Sequence, residues 1–393
     1  MKKVVYFTFG DMLPADVGNK RAMFAHFSYL VKQPEFKLTL CIIGNVSEVH
    51  QSLYREMGAE VKIIKPSGRW SFWEILNKFG SRLGLDMFTT FFSGLAYRRL
   101  VTEVCKNVDA VIMIYAAWFE LLPKRFLKEK AVVFTYDIFF YRRASIRGVN
   151  TWWKRLMVAI NRRLELHTLR RFHKIAVLAG YERKMLVDHG IPNEDILEVG
   201  MPITFPERKV APKPFADRKY DFFLISSRGS ENQLLVRCFI EKVVPLLPEE
   251  RNYVFALAGG ICDTADLSGL PTNFKVVKLG FVLDPEEALS EAKIGVGTVV
   301  CGSGVKVKVV EMAMHDLPMI VTDSGAEGIP LTGGGFINID HASNEKIGDK
   351  LRTWLEQPEQ AQRDGAETGT VVRHEFSAER IMRELKDYLA VMA

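Results

Sequence analysis

The chain is poor in the features that mark several protein classes. Its five cysteines (Cys41, Cys105, Cys238, Cys262, Cys301) are scattered, odd in number and form no C-x-x-C pair. That spacing excludes a disulfide scaffold or a structural zinc site and fits a reducing cytoplasm. The eight histidines show no H-E-x-x-H motif and no clustered ligand spacing. No uninterrupted apolar run approaches membrane-spanning length, and Met-Lys-Lys leads straight into an apolar strand without a cleavage signal. The expectation is a chain neither exported nor membrane-spanning. Internal repeats and low-complexity tracts are also missing, and 48% hydrophobic with 25% charged residues excludes extensive disorder.

What is present divides in two. The 393 residues suffice for two domains, each with its own core. The net charge of +6 conceals an asymmetry: residues 1–205 carry 31 Lys+Arg against 19 Asp+Glu, whereas the remainder carries 22 against 28. A basic first half and an acidic second half imply different partners, the first suited to an anionic surface or acceptor. Apolar runs at 3–9, 38–43, 61–64, 110–114, 131–135 and 175–178 alternate with helix-length segments. This is a doubly wound parallel pattern, with ligands expected at the carboxyl ends of the strands. Pro202, Pro206, Pro212 and Pro214 then punctuate a stretch without periodicity. From Tyr220 the strand–helix alternation restarts. The reading is a domain over 1–203, a linker over 204–218, a second domain over 219–375, and a terminal helix over 376–393.

The chain is organised around Cys301 to Gly328, CGSGVKVKVVEMAMHDLPMIVTDSGAEG. Gly302, Ser303 and Gly304 make a turn that brings backbone N–H groups to a helix start, where orphan donors and the dipole favour a phosphate. Lys308 and Glu311 stand three apart and share one helix face. Pro318 ends the helix ahead of a strand over 319–322, and a second glycine-bracketed turn follows. A lysine and a carboxylate beside an anion-binding turn suit a ligand carrying both a phosphate and a diol.

Gly302-Ser303-Gly304-Val305-Lys306, Lys308-x-x-Glu311, Pro318 and Gly325-Ala326-Glu327-Gly328 together resemble the donor-binding segment of family 4 retaining glycosyltransferases. Ser226 to Asn232, Leu257 to Gly260 and Gly280-Phe281-Val282 fall in the order that family uses. The resemblance covers most of residues 219–330 well and the first 200 loosely. It implies the GT-B fold, two Rossmann-like doubly wound domains, and a nucleotide-sugar donor held by the second. Glu311 would bind the ribose, and Gly302, Ser303, Gly304, Val305, Phe281, Val282 and Glu327 would line the donor site. Lys308 and Arg228 would stabilise the leaving diphosphate. One departure is Ser303, where many members carry a second glutamate that contacts the donor sugar; that contact does not carry over.

The other large glycosyltransferase fold holds a divalent cation with an Asp-x-Asp pair, which this chain lacks. No metal and no cofactor are therefore expected, and cationic side chains would neutralise the diphosphate. In the first domain, Gly18, Asn19 and Lys20 are candidates for a phosphate or acceptor loop, and Asp137 for acceptor hydroxyls. Residues 139–174 hold ten Lys/Arg against Glu165 alone. Trp153, Met157, Ile160 and Leu164 form a helical stripe expected to pack inward, with Arg155, Arg162, Arg163 and Arg170 roughly opposite. The basic face of the stretch from Arg142 to Lys174 is then either simply solvated, the default reading, or docked on an anionic inner leaflet. Trp70, Phe72, Trp73, Phe88, Phe91 and Phe92 are expected in the core by default, with an apolar acceptor edge as the alternative reading.

The sequence reading is thus a retaining, metal-independent glycosyltransferase. It would act on a glycan or lipid-linked acceptor in cell-surface polysaccharide synthesis, at the cytoplasmic membrane face and without nucleic acid. A nucleotide-sugar epimerase and a non-catalytic sugar-nucleotide-binding scaffold are the alternatives.

Overall fold

The computed structural model describes residues 1–14, 18–65, 97–136, 138, 140, 152–200, 213–282, 285–301 and 305–392. The chain divides into two compact units, one of Met1–Pro202 with Ala378–Ala393 and the other of Ile203–Ser377.

The first unit is built on a seven-stranded sheet in the order β3-β2-β1-β4-β5-β6-β7. Its strands are β1 (Lys2–Phe9), β2 (Phe36–Ile43), β3 (Glu60–Ile64), β4 (Ala110–Ile114), β5 (Ala131–Thr135), β6 (Lys174–Val177) and β7 (Ile196–Glu198). Every pairing is parallel. Central strands such as β4 and β5 are buried along their whole length. That accounts for their continuous apolar runs, because helices cover both faces of a parallel sheet. β7 has only three residues and no apolar run of its own, so it was not legible in the sequence.

The helices α1 (Gly18–Val31), α2 (Glu48–Glu56) and α3 (Trp152–Leu169) belong to this unit. The second sheet, of six parallel strands, has the order β10-β9-β8-β11-β12-β13. It comprises β8 (Tyr220–Ile225), β9 (Tyr253–Ala258), β10 (Phe274–Lys278), β11 (Ala292–Gly297), β12 (Met319–Val321) and β13 (Phe336–Asn338). Helix α4 (Ser230–Lys242) follows β8, and α5 (Val307–Met314) connects β11 to β12. The strand order reverses between β8 and β11, which is where a doubly wound sheet opens a binding crevice outside its carboxyl edge.

The terminal helix α6 (Ala378–Val391) packs in the first unit. Met382, Leu385 and Leu389 are buried at helical spacing. Glu384 accepts from Arg183 Nη2 at 3.2 Å and from the Glu198 backbone N–H at 2.9 Å, which also ties α6 to edge strand β7.

Helix α3 departs from the expected orientation. Trp153 is 49% exposed and Trp152 74%, while Met157, Ile160 and Leu164 are only half-buried. The buried face is instead Asn161, Glu165, Leu166, Thr168 and Leu169. The reason is polar: Glu165 turns inward to accept the Phe140 backbone N–H at 3.0 Å, satisfying a buried donor. Arg155, Arg162, Arg163 and Arg170 are exposed as expected. Trp70, Phe72, Trp73, Phe88, Phe91 and Phe92 lie outside the described residues.

Candidate functional site

The site forms where β8 and β11 part at their carboxyl ends. Gly295 and Gly297 lie in β11, and a Cβ on either would stand 2.9 Å from Met312 Sδ or Val309 Cγ2 respectively. Their bare backbone lets α5 sit close on the strand, which fixes where Lys308 begins its reach. From there Lys308 Nζ donates to Ser226 Oγ at 2.7 Å and to Asn232 Oδ1 at 2.8 Å. Asn232 is itself oriented by donating to the Ser227 carbonyl at 3.0 Å. A lysine from the β11 side is thus moored to the loop and first helical turn after β8.

Burial lowers the Lys308 pKa to about 8, and the neighbouring Lys306 charge acts in the same direction. Lys306 is also lowered by burial, against the opposing pull of Glu327, whose Oε2 stands 3.3 Å from its Nζ. Two ammonium groups are therefore held close together in partly dehydrated surroundings. An anion arriving there gains more than it would at an open surface. Glu311, one turn beyond Lys308, is only 6% exposed, unlike the solvated glutamates usual on helix surfaces.

Neighbouring loops are drawn in by glycine. Gly259 has φ +87°, and a Cβ on it would stand 2.4 Å from the Ser226 carbonyl oxygen. The Ile261 N–H donates to that same carbonyl at 3.1 Å, so the loops after β8 and β9 pack together. On the other side, Thr322 caps the short turn Asp323–Ala326 by accepting from Gly325 N–H at 3.1 Å, and donates its hydroxyl to the Val299 carbonyl. This turn delivers Glu327 to Lys306.

Several sequence candidates are therefore brought together: Lys308 and Glu311 lie on one face of α5, and Glu327 reaches Lys306. Val305 is half-buried just before the helix, Phe281 is 69% exposed after β10, and Val282 is half-buried beside it. Arg228 lies in the loop after β8, but its guanidinium pairs with Asp263, and both side chains are more than half exposed. In the first unit, Gly18 and Asn19 open α1, and Lys20 Nζ stands 3.5 Å from the Pro14 carbonyl. Gly302, Ser303, Gly304 and Asp137 lie outside the described residues. Among the described residues no group of three or more His, Cys, Asp or Glu could hold a metal ion.

Sequence reasoning did not anticipate Ser226 and Asn232 as the partners of Lys308, because more than seventy residues separate them. It also missed the cluster of Asp11, His50 and Tyr54, in which His50 Nδ1 and Tyr54 OH lie 2.6 and 2.7 Å from the Asp11 carboxylate.

Residues 221–357 match the family model of glycosyl transferases group 1. No curated protein matches the sequence. Among solved structures, a glycosyltransferase from Rickettsia africae is 12% identical, with 99% of this chain and 97% of that one covered and a TM-score of 0.64. HepE of Anabaena, solved in complex with UDP, is 10% identical over 99% of this chain and 100% of its own, also at 0.64. A putative UDP-N-acetylglucosamine 2-epimerase from Listeria monocytogenes is 14% identical over 98% and 96%, at 0.54.

The fold is therefore GT-B, two Rossmann-like domains each on a parallel sheet. With a glycosyl transferases group 1 domain over the segment that carries Lys308 and Glu311, the chain is a glycosyltransferase.

Proposed function

We propose that the enzyme transfers a sugar, with retention and without a metal ion, from a nucleoside diphosphate donor held by the second unit. The observation that carries this reading is Lys308, a half-buried ammonium at the point where the strand order of the second sheet reverses. As the bond from anomeric carbon to phosphate oxygen breaks, negative charge grows on the diphosphate. Lys308 and Lys306, with the N–H groups that open α5, stabilise that charge where it develops. Glu311 accepts hydrogen bonds from the ribose hydroxyls. Phe281 and Val282 approach the base, and Arg228 can exchange Asp263 for a phosphate oxygen.

Uridine diphosphate sugars are the first donors to test, because HepE structures contain UDP and UDP-glucose. The acceptor in this reading is a glycan or lipid-linked saccharide of cell-surface polysaccharide synthesis, met by the basic first unit. Among the described residues no helix is long and apolar enough to cross a membrane. Trp152, Trp153 and Leu156 are exposed on α3 beside exposed Arg155, Arg162 and Arg163. We assign this face to peripheral docking on an anionic lipid surface, where each basic residue contributes about 1 kcal/mol.

The test is a thermal-shift panel of nucleotides and their sugar conjugates in EDTA, followed by product analysis of whichever conjugate stabilises the protein. Stabilisation by one diphosphonucleoside, with release of the free nucleotide on turnover, supports the reading. Conversion of the donor to an epimer would replace transfer with epimerisation, and no stabilisation by any nucleotide would remove the donor site.

A further inference from the structure

The Lys308 ammonium is held by an amide whose direction is itself fixed. Asn232 stands in the first turn of α4, and its Oδ1 accepts from Lys308 Nζ at 2.8 Å. Its Nδ2 donates to the Ser227 carbonyl at 3.0 Å and to Ser227 Oγ at 3.2 Å. An ammonium only donates and a carbonyl only accepts, so the amide oxygen must face the lysine and the amide nitrogen must face Ser227. The flipped amide would set donor against donor on one side and oxygen against oxygen on the other. Ser227 therefore fixes the sense of the bond to Lys308.

The loop that carries this amide is anchored without help from Lys308. The Ser226 N–H donates to the Ala258 carbonyl at 3.0 Å, and the Ile261 N–H donates to the Ser226 carbonyl at 3.1 Å. Ser226 is only 6% exposed, and its hydroxyl is the other acceptor of Lys308. Lys308 arrives from α5, beyond the reversal of strand order, on a flexible four-carbon stem. Two oxygens on an anchored loop give that stem one end point. Both belong to neutral groups, an amide and a hydroxyl. A carboxylate at position 232 would hold the ammonium more strongly but would cancel its charge. An apolar side chain there would leave charge intact and position undefined.

We propose that Asn232 is the residue that positions Lys308 for the diphosphate of the donor, fixing where the ammonium sits without supplying an acidic partner. This rests on the glycosyl-transfer reading above, and every residue it needs lies in the second unit. Asn232 touches no substrate atom in this role and acts through Lys308 alone.

The test uses the full chain with 13Cε-labelled lysine, the Lys308 signal being assigned by its loss in Lys308→Met. Asn232→Asp, nearly identical in shape, should make that signal titrate about one pH unit higher or more. Asn232→Leu should slow consumption of the nucleotide sugar selected by the thermal-shift panel, UDP-glucose being tried first, about ten-fold, with nucleotide affinity within about three-fold. In the Lys308→Met background the same Asn232→Leu change should alter the rate less than about two-fold, because its route of action is already gone. A role confined to stapling the first turn of α4 would move the rate equally in both backgrounds and leave the Lys308 titration where it was. An unchanged titration in Asn232→Asp, an unchanged rate in Asn232→Leu, or an equal loss in both backgrounds overturns the positioning role and leaves the donor reading intact. If Asn232→Leu fails to fold, the Asn232→Asp titration decides alone. A wild type that neither binds nor consumes any nucleotide sugar overturns the glycosyl-transfer reading itself, and the role of Asn232 falls with it.

Discussion

Lys308 Nζ stands 2.7 Å from Ser226 Oγ, a bond that joins the helix after β11 to the loop after β8 across the reversal of strand order. Both partners of this ammonium, Ser226 and Asn232, are neutral. Its charge is therefore hydrogen-bonded but not cancelled by an acidic partner.

Replacing Lys308 with Met removes that charge at nearly constant volume. Donor consumption should fall on the order of 100-fold, the typical loss of one preorganised transition-state contact. Nucleotide affinity should fall by less than ten-fold. Steady-state kinetics beside calorimetric titration separates the two, and an unchanged turnover would retire Lys308 from the chemistry.

Because burial lowers Lys308 to about 8, its charge is lost as pH rises through that value. Nucleotide affinity should weaken over the same range. Binding at pH 8 should take up protons, seen as a dependence of the calorimetric heat on buffer ionisation enthalpy. Stability runs the other way: between about 8 and the ordinary lysine value near 10.5 the unfolded chain holds a proton the native state has released. Wild type should therefore gain stability relative to Lys308→Met as pH rises through that window.

Gly325→Ala tests the turn that presents Glu327. A Cβ there would lie 2.2 Å from the Gly297 carbonyl oxygen, a backbone atom of β11 that cannot step aside. Destabilisation of about 2 kcal/mol or more is expected from such overpacking, together with weaker nucleotide binding. Denaturant unfolding gives the first quantity and thermal shift with nucleotide the second.

His26 is fully buried in the first unit, with Nδ1 2.9 Å from Tyr136 OH and Nε2 2.9 Å from the Gly200 carbonyl. Burial pushes its pKa down to about 4. The unfolded chain takes up a proton near 6.5 that the native state excludes, so the stabilisation is complete above about 6.5 and is lost as pH falls toward 4. The loss is on the order of 3 kcal/mol. Urea unfolding at intervals between pH 7 and 4 should show a steeper decline for wild type than for His26→Gln.

Vesicle flotation tests the exposed face of α3. Binding should require anionic lipid and weaken with salt. Trp152→Ala combined with Trp153→Ala should reduce it even at low salt, through lost apolar insertion. Equal binding to neutral vesicles would count against the arginines, and indifference to the double substitution against the tryptophans.

Much of this protein was decided locally. Continuous apolar runs separated by helix-length segments imply parallel sheets, because a strand covered on both faces has no polar side. The glycine turns, the Lys308-x-x-Glu311 spacing and Pro318 fix a short helix and the face it presents, since helical period and proline geometry act over a few residues. Only the tertiary structure decided what those side chains meet. It chose Ser226 and Asn232 for Lys308, buried Glu311, and paired Arg228 with Asp263. It also turned α3 so that Glu165 faces inward and Trp152 and Trp153 outward, since a buried backbone N–H at Phe140 needed an acceptor. Asp11 and His50 meet because β1 and β2 are neighbours in the sheet, a pairing of distant segments that no local pattern records.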